Sequence, residues 1–274
     1  MIASLKRDLR FAAGLFRTLG RVRGIRPDSP QRICDDLEAA VRRWRDREAL
    51  RFDGRSLTYG EMDALANRFS RWAIEAGLRA GDRVALFLPN RIEYLPAWYG
   101  LSKVGVVSAL INNQLTGQAL AHCLSLSGAH EVIVDSETSP ALQEVLGDLA
   151  QTPRLWSLDA PLPGEGDLTA DLDRRPDAPP PAVLREGLRA ADTALLIYTS
   201  GTTGLPKAAR VTHVRVQLYM RGFSGATGAR PDDRIYVALP LYHATGGLCG
   251  MGAALLNGAC VVLRSKFSVS QFWE

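Results

Sequence analysis

The chain has 274 residues, of which 46% are hydrophobic and 23% are charged, and its formal net charge is +4. These values are ordinary for a soluble globular protein of one large or two smaller α/β units. The four cysteines and four histidines are scattered without metal-ligand spacing, which argues against a zinc site and a disulfide framework. Unpaired cysteines favour a reducing compartment, so we predict a cytoplasmic protein.

The positive charge is concentrated at the N-terminus. Residues 1–26 contain seven Lys or Arg and one Asp, a net charge of +6, so the rest of the chain carries −2 of the total of +4. Because the main body has no excess of basic residues, the charge distribution argues against a nucleic-acid partner.

The same segment, 1–26, has the pattern of a basic amphipathic helix. Apolar residues recur at steps of three and four along one predicted face: Leu5, Leu9, Ala12, Phe16, Leu19. Basic residues lie off this stripe, as in a helix that makes peripheral contact with the anionic inner face of a membrane. Charges are too frequent for a membrane span. A helix docked on the protein's own body, or a tail without a partner, are the alternatives.

Strands and helices are predicted to alternate between residues 49 and 150. A hairpin with a type I′ turn at Asp53 and Gly54 comes first, and Thr58 with Glu61 predicts a capping box that begins a helix. Further strands are predicted at 84–88, 106–111 and 131–135, and further helices at 92–103, 117–126 and 139–150. This alternation predicts an α/β fold with parallel-rich sheets covered by helices.

Composition divides the chain into four predicted parts. Residues 1–26 form the N-terminal helix, and 27–152 form a first α/β subdomain. Residues 153–190 are rich in proline, aspartate and glycine and predict an extended surface connection. Residues 191–274 form a second α/β subdomain, with strands predicted at 194–198 and 235–239.

A loop of hydroxyl residues and glycines follows the strand predicted at 194–198. Its residues are Thr199, Ser200, Gly201, Thr202, Thr203 and Gly204. Glycines let backbone N–H groups turn toward an anion, and hydroxyls can donate to phosphate oxygens. Lys207 adds a compact positive charge. Although the spacing is not that of a Walker A loop, these residues predict a phosphate-binding loop. The alternative is a flexible Ser/Thr/Gly surface loop.

Two segments resemble the adenylate-forming (AMP-binding) superfamily of acyl-CoA synthetases, luciferases and nonribosomal adenylation domains. Residues 198–208 resemble its phosphate-binding signature, and residues 239–243 (Leu-Pro-Leu-Tyr-His) resemble its second core motif. The stretch 239–274 and the Leu-Pro-Asn-Arg block at 88–91 resemble the very-long-chain and long-chain acyl-CoA synthetases, also called fatty acid transport proteins.

The resemblance implies a fold, a reaction and a set of roles. It implies the large N-terminal domain of an acyl-CoA synthetase, which uses ATP, Mg2+ and coenzyme A to convert a fatty acid to acyl-AMP and then to acyl-CoA. Residues 199–204 and Lys207 would surround the β- and γ-phosphates, and Mg2+ would bridge phosphate oxygens. His243 would be a catalytic residue beside the acyl carboxylate. The alternative for that position is a core histidine with its hydrogen bonds satisfied, capping a helix before Gly246 and Gly247.

Several expectations follow from what the sequence lacks or leaves open. The superfamily's Tyr-Gly-x-Thr-Glu segment does not occur here, so the resemblance predicts an N-terminal portion that does not complete catalysis alone. Two other functions stay open, namely a ligase for a carnitine-like, aryl or amino acid, and a non-catalytic membrane-associated fragment that binds fatty acid or nucleotide. Small residues after His243 either leave room for an acyl chain or allow close helix packing: Ala244, Gly246, Gly247, Gly250, Gly252.

Overall fold

The computed structural model describes residues 2–199 and 204–270, with side chains from residue 8 onward. The helices are α1 Ile2–Val22, α2 Ile33–Trp44, α3 Tyr59–Glu75, α4 Tyr94–Lys103, α5 Gly117–Ser127, α6 Ser139–Val145, α7 Leu168–Asp173, α8 His213–Thr227 and α9 Met251–Leu255. The strands are β1 Glu48–Phe52, β2 Arg55–Thr58, β3 Arg83–Leu86, β4 Val107–Leu110, β5 Glu131–Val134, β6 Arg154–Ser157, β7 Glu165–Asp167, β8 Thr193–Thr199, β9 Lys207–Thr212, β10 Arg234–Val237 and β11 Cys260–Leu263.

The larger sheet has seven strands in the order β7-β6-β5-β3-β4-β8-β9. Neighbouring strands are parallel except for β9, which pairs antiparallel with β8 at the edge. Both faces of the sheet are covered, because alternate residues of β3 enter different apolar clusters. Val84 and Leu86 pack with α3 and α4, whereas Ala85 packs with α5 and α6. The predicted parallel-rich α/β fold is therefore confirmed.

The smaller sheet joins the beginning of the main body to its end. Its order is β10-β11-β1-β2, and the predicted hairpin is present with Asp53 at φ 45° and Gly54 at φ 76°, as a type I′ turn requires. The predicted capping box is also present, since Thr58 and Glu61 exchange backbone-to-side-chain hydrogen bonds at the start of α3. Strand β1 pairs in parallel with β11, with Leu50 opposite Val261, and this long-range pairing has no local signal.

The prediction of an extended connection over 153–190 is wrong in its local structure. This segment contains β6, β7 and α7, and a 3₁₀ turn at Ala182–Arg185. Strands β6 and β7 are too short for a strand pattern to show in the sequence. Trp156 of β6 makes an edge-to-face contact with Trp72, with ring centroids 5.5 Å apart. Hydrogen bonding within the seven-stranded sheet thus crosses both predicted boundaries, at 152 and at 190. The division into two folding units stays a prediction.

Helix α1 is docked on α8 through its small and basic side. A Cβ added at Gly225 would lie 2.7 Å from the Cα of Thr18, so the two backbones approach closely. Arg17 Nε donates to the Gly225 carbonyl at 3.2 Å, and Arg21 donates to Ser224 Oγ at 2.9 Å. The alternative of a helix docked on the body is therefore present, but the apolar stripe is not the side that docks.

The apolar side of α1 faces away from the body. Five large apolar side chains between residues 9 and 19 are 48–74% exposed: Leu9, Phe11, Leu15, Phe16, Leu19. Phe11 and Leu15 widen the stripe that the sequence predicted. Across the described residues, no helix combines the length and the apolar content that a bilayer crossing requires.

Candidate active site

The predicted phosphate loop connects the buried strand β8 to the edge strand β9. Thr199 is the last residue of β8 and lies directly opposite Lys207, the first residue of β9, in the antiparallel register. Of the predicted loop residues, Ser200, Gly201, Thr202 and Thr203 lie outside the described residues. The described ends place the loop at the carboxyl end of a parallel strand, where ligands bind in open α/β sheets.

Gly204 and Lys207 both have the properties that the loop prediction requires. Gly204 has φ +95°, a conformation that side-chain-bearing residues rarely adopt. The Lys207 side chain is exposed and forms no ion pair within residues 8–199 and 204–270. Its ammonium group therefore remains available to an anionic ligand. The assignment of 199–204 and Lys207 to phosphate binding stays a prediction.

A contact that the sequence did not indicate supports the far end of this loop. His122 on α5 has its Nε2 atom 3.0 Å from the Pro206 carbonyl oxygen. Because a carbonyl can only accept, Nε2 carries the proton in this contact. His122 and Pro206 are 84 positions apart, so no local pattern could have connected them. The hydrogen bond fixes the residue directly before Lys207.

His243 lies in the segment 239–243, which follows β10 and precedes a π-helix at Thr245–Gly250. Its imidazole is exposed, and Nδ1 is 3.5 Å from Thr245 Oγ1. Its backbone carbonyl accepts a hydrogen bond from the Gly247 N–H at 2.8 Å. The alternative of a buried core histidine is therefore wrong, although the catalytic role stays a prediction. π-Helical turns are frequent at functional sites.

The glycines after His243 serve close packing. A Cβ at Gly246 would lie 2.5 Å from the Pro240 carbonyl oxygen, and a Cβ at Gly247 would overlap the carbonyl oxygen of Leu241. A Cβ at Gly252 would overlap the backbone of Met220 on α8. Backbone atoms already occupy the space that larger side chains would take, so glycine at these three positions is explained by close packing.

The histidine that is buried in the core is His213, the first residue of α8. It is 3% exposed, and its Nδ1 atom has no hydrogen-bond partner among the described residues. Burial, with a smaller contribution from the Arg32 charge, lowers the pKa of His213 to about 4. His213 is therefore neutral at physiological pH and stands apart from the exposed His243.

The described residues do not bring all predicted site residues together. No hydrogen bond or ion pair in the described part of the chain joins His243 to Thr199, Gly204 or Lys207. That part also contains no group of three or more His, Cys, Asp or Glu residues that could hold a metal ion.

A family model described as AMP-binding enzyme matches residues 37–274. The chain belongs to the AMP-binding enzyme family. This match covers both the loop ending at Lys207 and the 239–243 segment.

Two curated relatives are similar over almost the whole chain. Long-chain fatty acid transport protein 5 of Homo sapiens is 39% identical over 285 residues, which cover 98% of this chain and 41% of the human protein. Long-chain fatty acid transport protein 2 of Rattus norvegicus is 34% identical over 282 residues, which cover 98% of this chain and 44% of the rat protein. The chain thus spans less than half the length of these relatives, and the predicted resemblance to this branch is confirmed.

Solved structures show the same fold. A fatty acyl CoA synthetase of Mycobacterium tuberculosis superposes with a TM-score of 0.78 at 26% identity, over 88% of this chain and 46% of the synthetase. The inhibitor-bound N-terminal domain of FACL13 from the same species has a TM-score of 0.77 at 27% identity, over 89% of this chain and 59% of the other. These superpositions confirm the fold predicted from the resemblance, that of the N-terminal domain of acyl-CoA synthetases.

Proposed function

We propose that this chain supplies the phosphate loop and the carboxylate-binding segment of an AMP-forming ligase that activates long- or very-long-chain fatty acids. The observation that carries the proposal is the exposed Lys207, which forms no ion pair among the described residues and lies opposite Thr199, at the carboxyl end of a strand buried in the sheet. Family membership and the names of the relatives support the choice of a fatty acid among carboxylic acids.

The proposed reaction has two displacements. In the first, a carboxylate oxygen of the fatty acid attacks the α-phosphorus of ATP, forming acyl-AMP as the bond to pyrophosphate breaks. In the second, the thiol sulfur of coenzyme A attacks the acyl carbon, and AMP leaves. Both steps require that the charge of the reactants is neutralised and that the reacting atoms are held in line. The protein therefore contributes by positioning and by electrostatic stabilisation.

Each part of the chain has a separate task in this proposal. Residues 199–204 donate hydrogen bonds to the β- and γ-phosphates, and Lys207 neutralises part of their charge. His243, with its exposed ring, contacts the carboxylate of the fatty acid. Mg2+, when bound with ATP, would supply further neutralisation of the phosphate charge. Thr199 is exposed, and its hydroxyl would be a suitable ligand for the ion, because oxygen atoms are the preferred ligands of Mg2+.

The direct test measures binding of Mg-ATP to this chain by calorimetry. We expect Lys207→Ala to weaken ATP binding by about tenfold or more, since a charge-assisted contact is lost. The matched control is Arg210→Ala, which removes one positive charge from the same strand at a position that contacts Thr193 and not the loop. Equal affinities for wild type and Lys207→Ala would refute the phosphate role.

A panel of carboxylic acids tests the second half of the proposal. Binding to the chain is compared for palmitate, a carnitine-like acid, benzoate and an amino acid, in wild type and His243→Gln. We expect a preference for palmitate that His243→Gln weakens. Preference for another acid would favour a different adenylating ligase, and acid binding that is insensitive to His243→Gln would contradict the role of that residue.

We also propose that α1 makes peripheral contact with the cytoplasmic face of a membrane. The supporting observation is the outward apolar side of the helix, including Phe11 and Phe16, which are both 74% exposed. The surrounding segment is strongly basic, which suits anionic lipid. Docking through Arg17 and Arg21 leaves this apolar side free while the helix stays attached to the body.

A further inference from the structure

We propose that Asn90 is a positioning residue that sets the place of the 239–243 segment and hence of the His243 imidazole. Asn90 belongs to the Leu-Pro-Asn-Arg block at 88–91, for which the proposed reaction has no direct use. The inference rests on the proposed function in one respect only, namely that His243 contacts the fatty acid carboxylate.

The Asn90 side chain is buried, at 6% exposure, and all of its polar atoms are used. Nδ2 donates to the Leu239 carbonyl at 3.0 Å and to the Arg264 carbonyl at 2.9 Å. Oδ1 accepts from the Leu241 N–H at 2.8 Å. Two of the three hydrogen bonds therefore end on the 239–243 segment, on residues four and two positions before His243.

These contacts join the carboxyl ends of strands from both sheets. Asn90 follows β3 of the seven-stranded sheet, whereas the 239–243 segment follows β10 and Arg264 follows β11 in the four-stranded sheet. The N–H of Arg264 also donates to the Val237 carbonyl at 3.0 Å, which keeps the ends of β10 and β11 together. Because ligands bind at the carboxyl ends of parallel strands, Asn90 stands where the two sheets must be held in register.

The Asn90 backbone is itself held firmly in place. The neighbouring guanidinium of Arg91 forms ion pairs with Glu93 at 2.9 Å and with Asp135 at 3.0 Å, and all three side chains are largely buried. Asp135 follows β5, the strand next to β3 in the large sheet. Arg91 thus fixes the loop to the large sheet, and Asn90 reaches from it to the segment that carries His243.

Only asparagine fits this arrangement well. The site requires two donors and one acceptor on a short planar group, which an amide supplies. An aspartate has the same shape but no donor, so the carbonyls of Leu239 and Arg264 would lose their partner and face a carboxylate. From Leu241 the chain continues through a tight turn, because Gly247 packs directly against the Leu241 carbonyl. A shift of Leu241 therefore moves His243.

The chain offers a closely matched control in Asn257. This residue is also 6% exposed. Its Nδ2 donates to the carbonyls of Ser224 at 3.0 Å and Ala253 at 2.9 Å, and its Oδ1 accepts from Arg21 at 2.7 Å. Asn257→Ala thus removes the same number of hydrogen bonds as Asn90→Ala, two donated to carbonyls and one accepted, here from a guanidinium, at the junction of α1, α8 and α9.

The test records the imidazole ¹H–¹⁵N NMR signals of the intact chain, assigned with His243→Gln. We expect Asn90→Ala and the isosteric Asn90→Asp to displace or broaden the His243 signals. The signals of the exposed His130 should not move. We expect Asn257→Ala to leave the His243 signals unchanged despite a similar loss of stability in urea. Unmoved His243 signals in either folded Asn90 variant, or equal displacement by Asn257→Ala, would overturn the proposal.

Ligand binding separates this inference from the proposed function. In the Asn90 variants we expect palmitate binding to weaken by about tenfold or more, as displaced functional groups do, and Mg-ATP binding to change less than about twofold because the Lys207 loop is untouched. If His243→Gln leaves palmitate binding unchanged, the proposed role of His243 fails, and the NMR signals alone decide on Asn90. If His243→Gln weakens binding and the Asn90 variants do not, the Asn90 proposal fails.

Discussion

The phosphate loop and the 239–243 segment both follow strand ends, but they are held in different ways. The loop connects two strands that are neighbours in sequence and in the sheet, with Thr199 opposite Lys207. The 239–243 segment depends on Asn90, which is 149 positions from Leu239 and 151 from Leu241. A short motif can therefore specify the loop, whereas the position of the 239–243 segment is set only after the two sheets have come together.

The difference teaches where each site is vulnerable. Local strand pairing preserves the two ends of the loop as long as the edge of the large sheet is intact. Among the described residues, the 239–243 segment pairs with no strand, and it is shaped by backbone contacts from Gly246 and Gly247 and by the Asn90 amide. We therefore expect changes in packing to affect the 239–243 segment first.

The largest expected effect is a loss of stability in acid, caused by the buried His213. This residue directly follows β9, the strand after the loop. Its folded-state pKa of about 4 is below the ordinary value of 6.5, so the unfolded chain binds the proton more tightly. Stability is fully present above about pH 6.5 and is lost as the pH falls toward 4, by about 3 kcal/mol in total. Urea unfolding between pH 7 and 4 measures this loss.

Two variants make the acid experiment specific. His213→Gln should reduce the pH dependence of unfolding between pH 6.5 and 4, because the titrating group is gone. His130→Gln should retain it, since His130 is exposed. The same slope in both variants would assign the acid sensitivity to another group.

Gly247→Ala should be the next largest effect and would damage the 239–243 segment. The added methyl would overlap the Leu241 carbonyl, a backbone atom that cannot rotate away, so we expect a loss of about 2 kcal/mol in the free energy of unfolding. Gly147→Ala is the matched control, because nothing lies within 4 Å of its added Cβ and its φ is not positive. Comparable unfolding curves for both variants would contradict this prediction, because they would show that the 239–243 segment accommodates the added methyl group.

A smaller effect is expected from His122→Leu, which tests a long-range contact at the described end of the loop. The variant leaves the Pro206 carbonyl without its donor, at a cost of about 1 kcal/mol. We expect Mg-ATP binding to weaken by roughly fivefold, with palmitate binding nearly unchanged. This is the opposite of the split expected for Asn90→Asp, and a matching loss of both ligands would contradict the separation of the two sites.

The smallest expected effect is on membrane contact, outside both sites. Phe16→Gln should weaken co-sedimentation with vesicles of phosphatidylcholine and phosphatidylserine by roughly threefold, because one partly inserted ring is lost. Val183→Gln removes an exposed apolar side chain far along the chain, at 60% exposure, and should leave vesicle binding unchanged. Equal binding of Phe16→Gln and wild type would argue against contact through α1.

Much of the fold could be predicted because its signals are local. The type I′ turn at Asp53 and Gly54, the capping box at Thr58 and the strand before Thr199 each depend on residues within a few positions. Strand β6 was missed because four residues with one large aromatic carry too little periodicity. The large aromatic of this strand, Trp156, packs against Trp72, which is more than eighty positions away.

The sequence by itself determined the α/β class and the family and indicated a candidate phosphate loop, since turn chemistry, strand pattern and motif spacing act over short stretches. Tertiary structure alone decided that α1 docks with its basic side, that Gly246, Gly247 and Gly252 pack against backbone, and that His122 and Asn90 form hydrogen bonds to Pro206 and to the 239–243 segment. The reason is physical. Closing a long stretch of chain costs entropy. Hydrogen bonds between residues 84 to 151 positions apart therefore form only when the burial of both sheets offsets that cost.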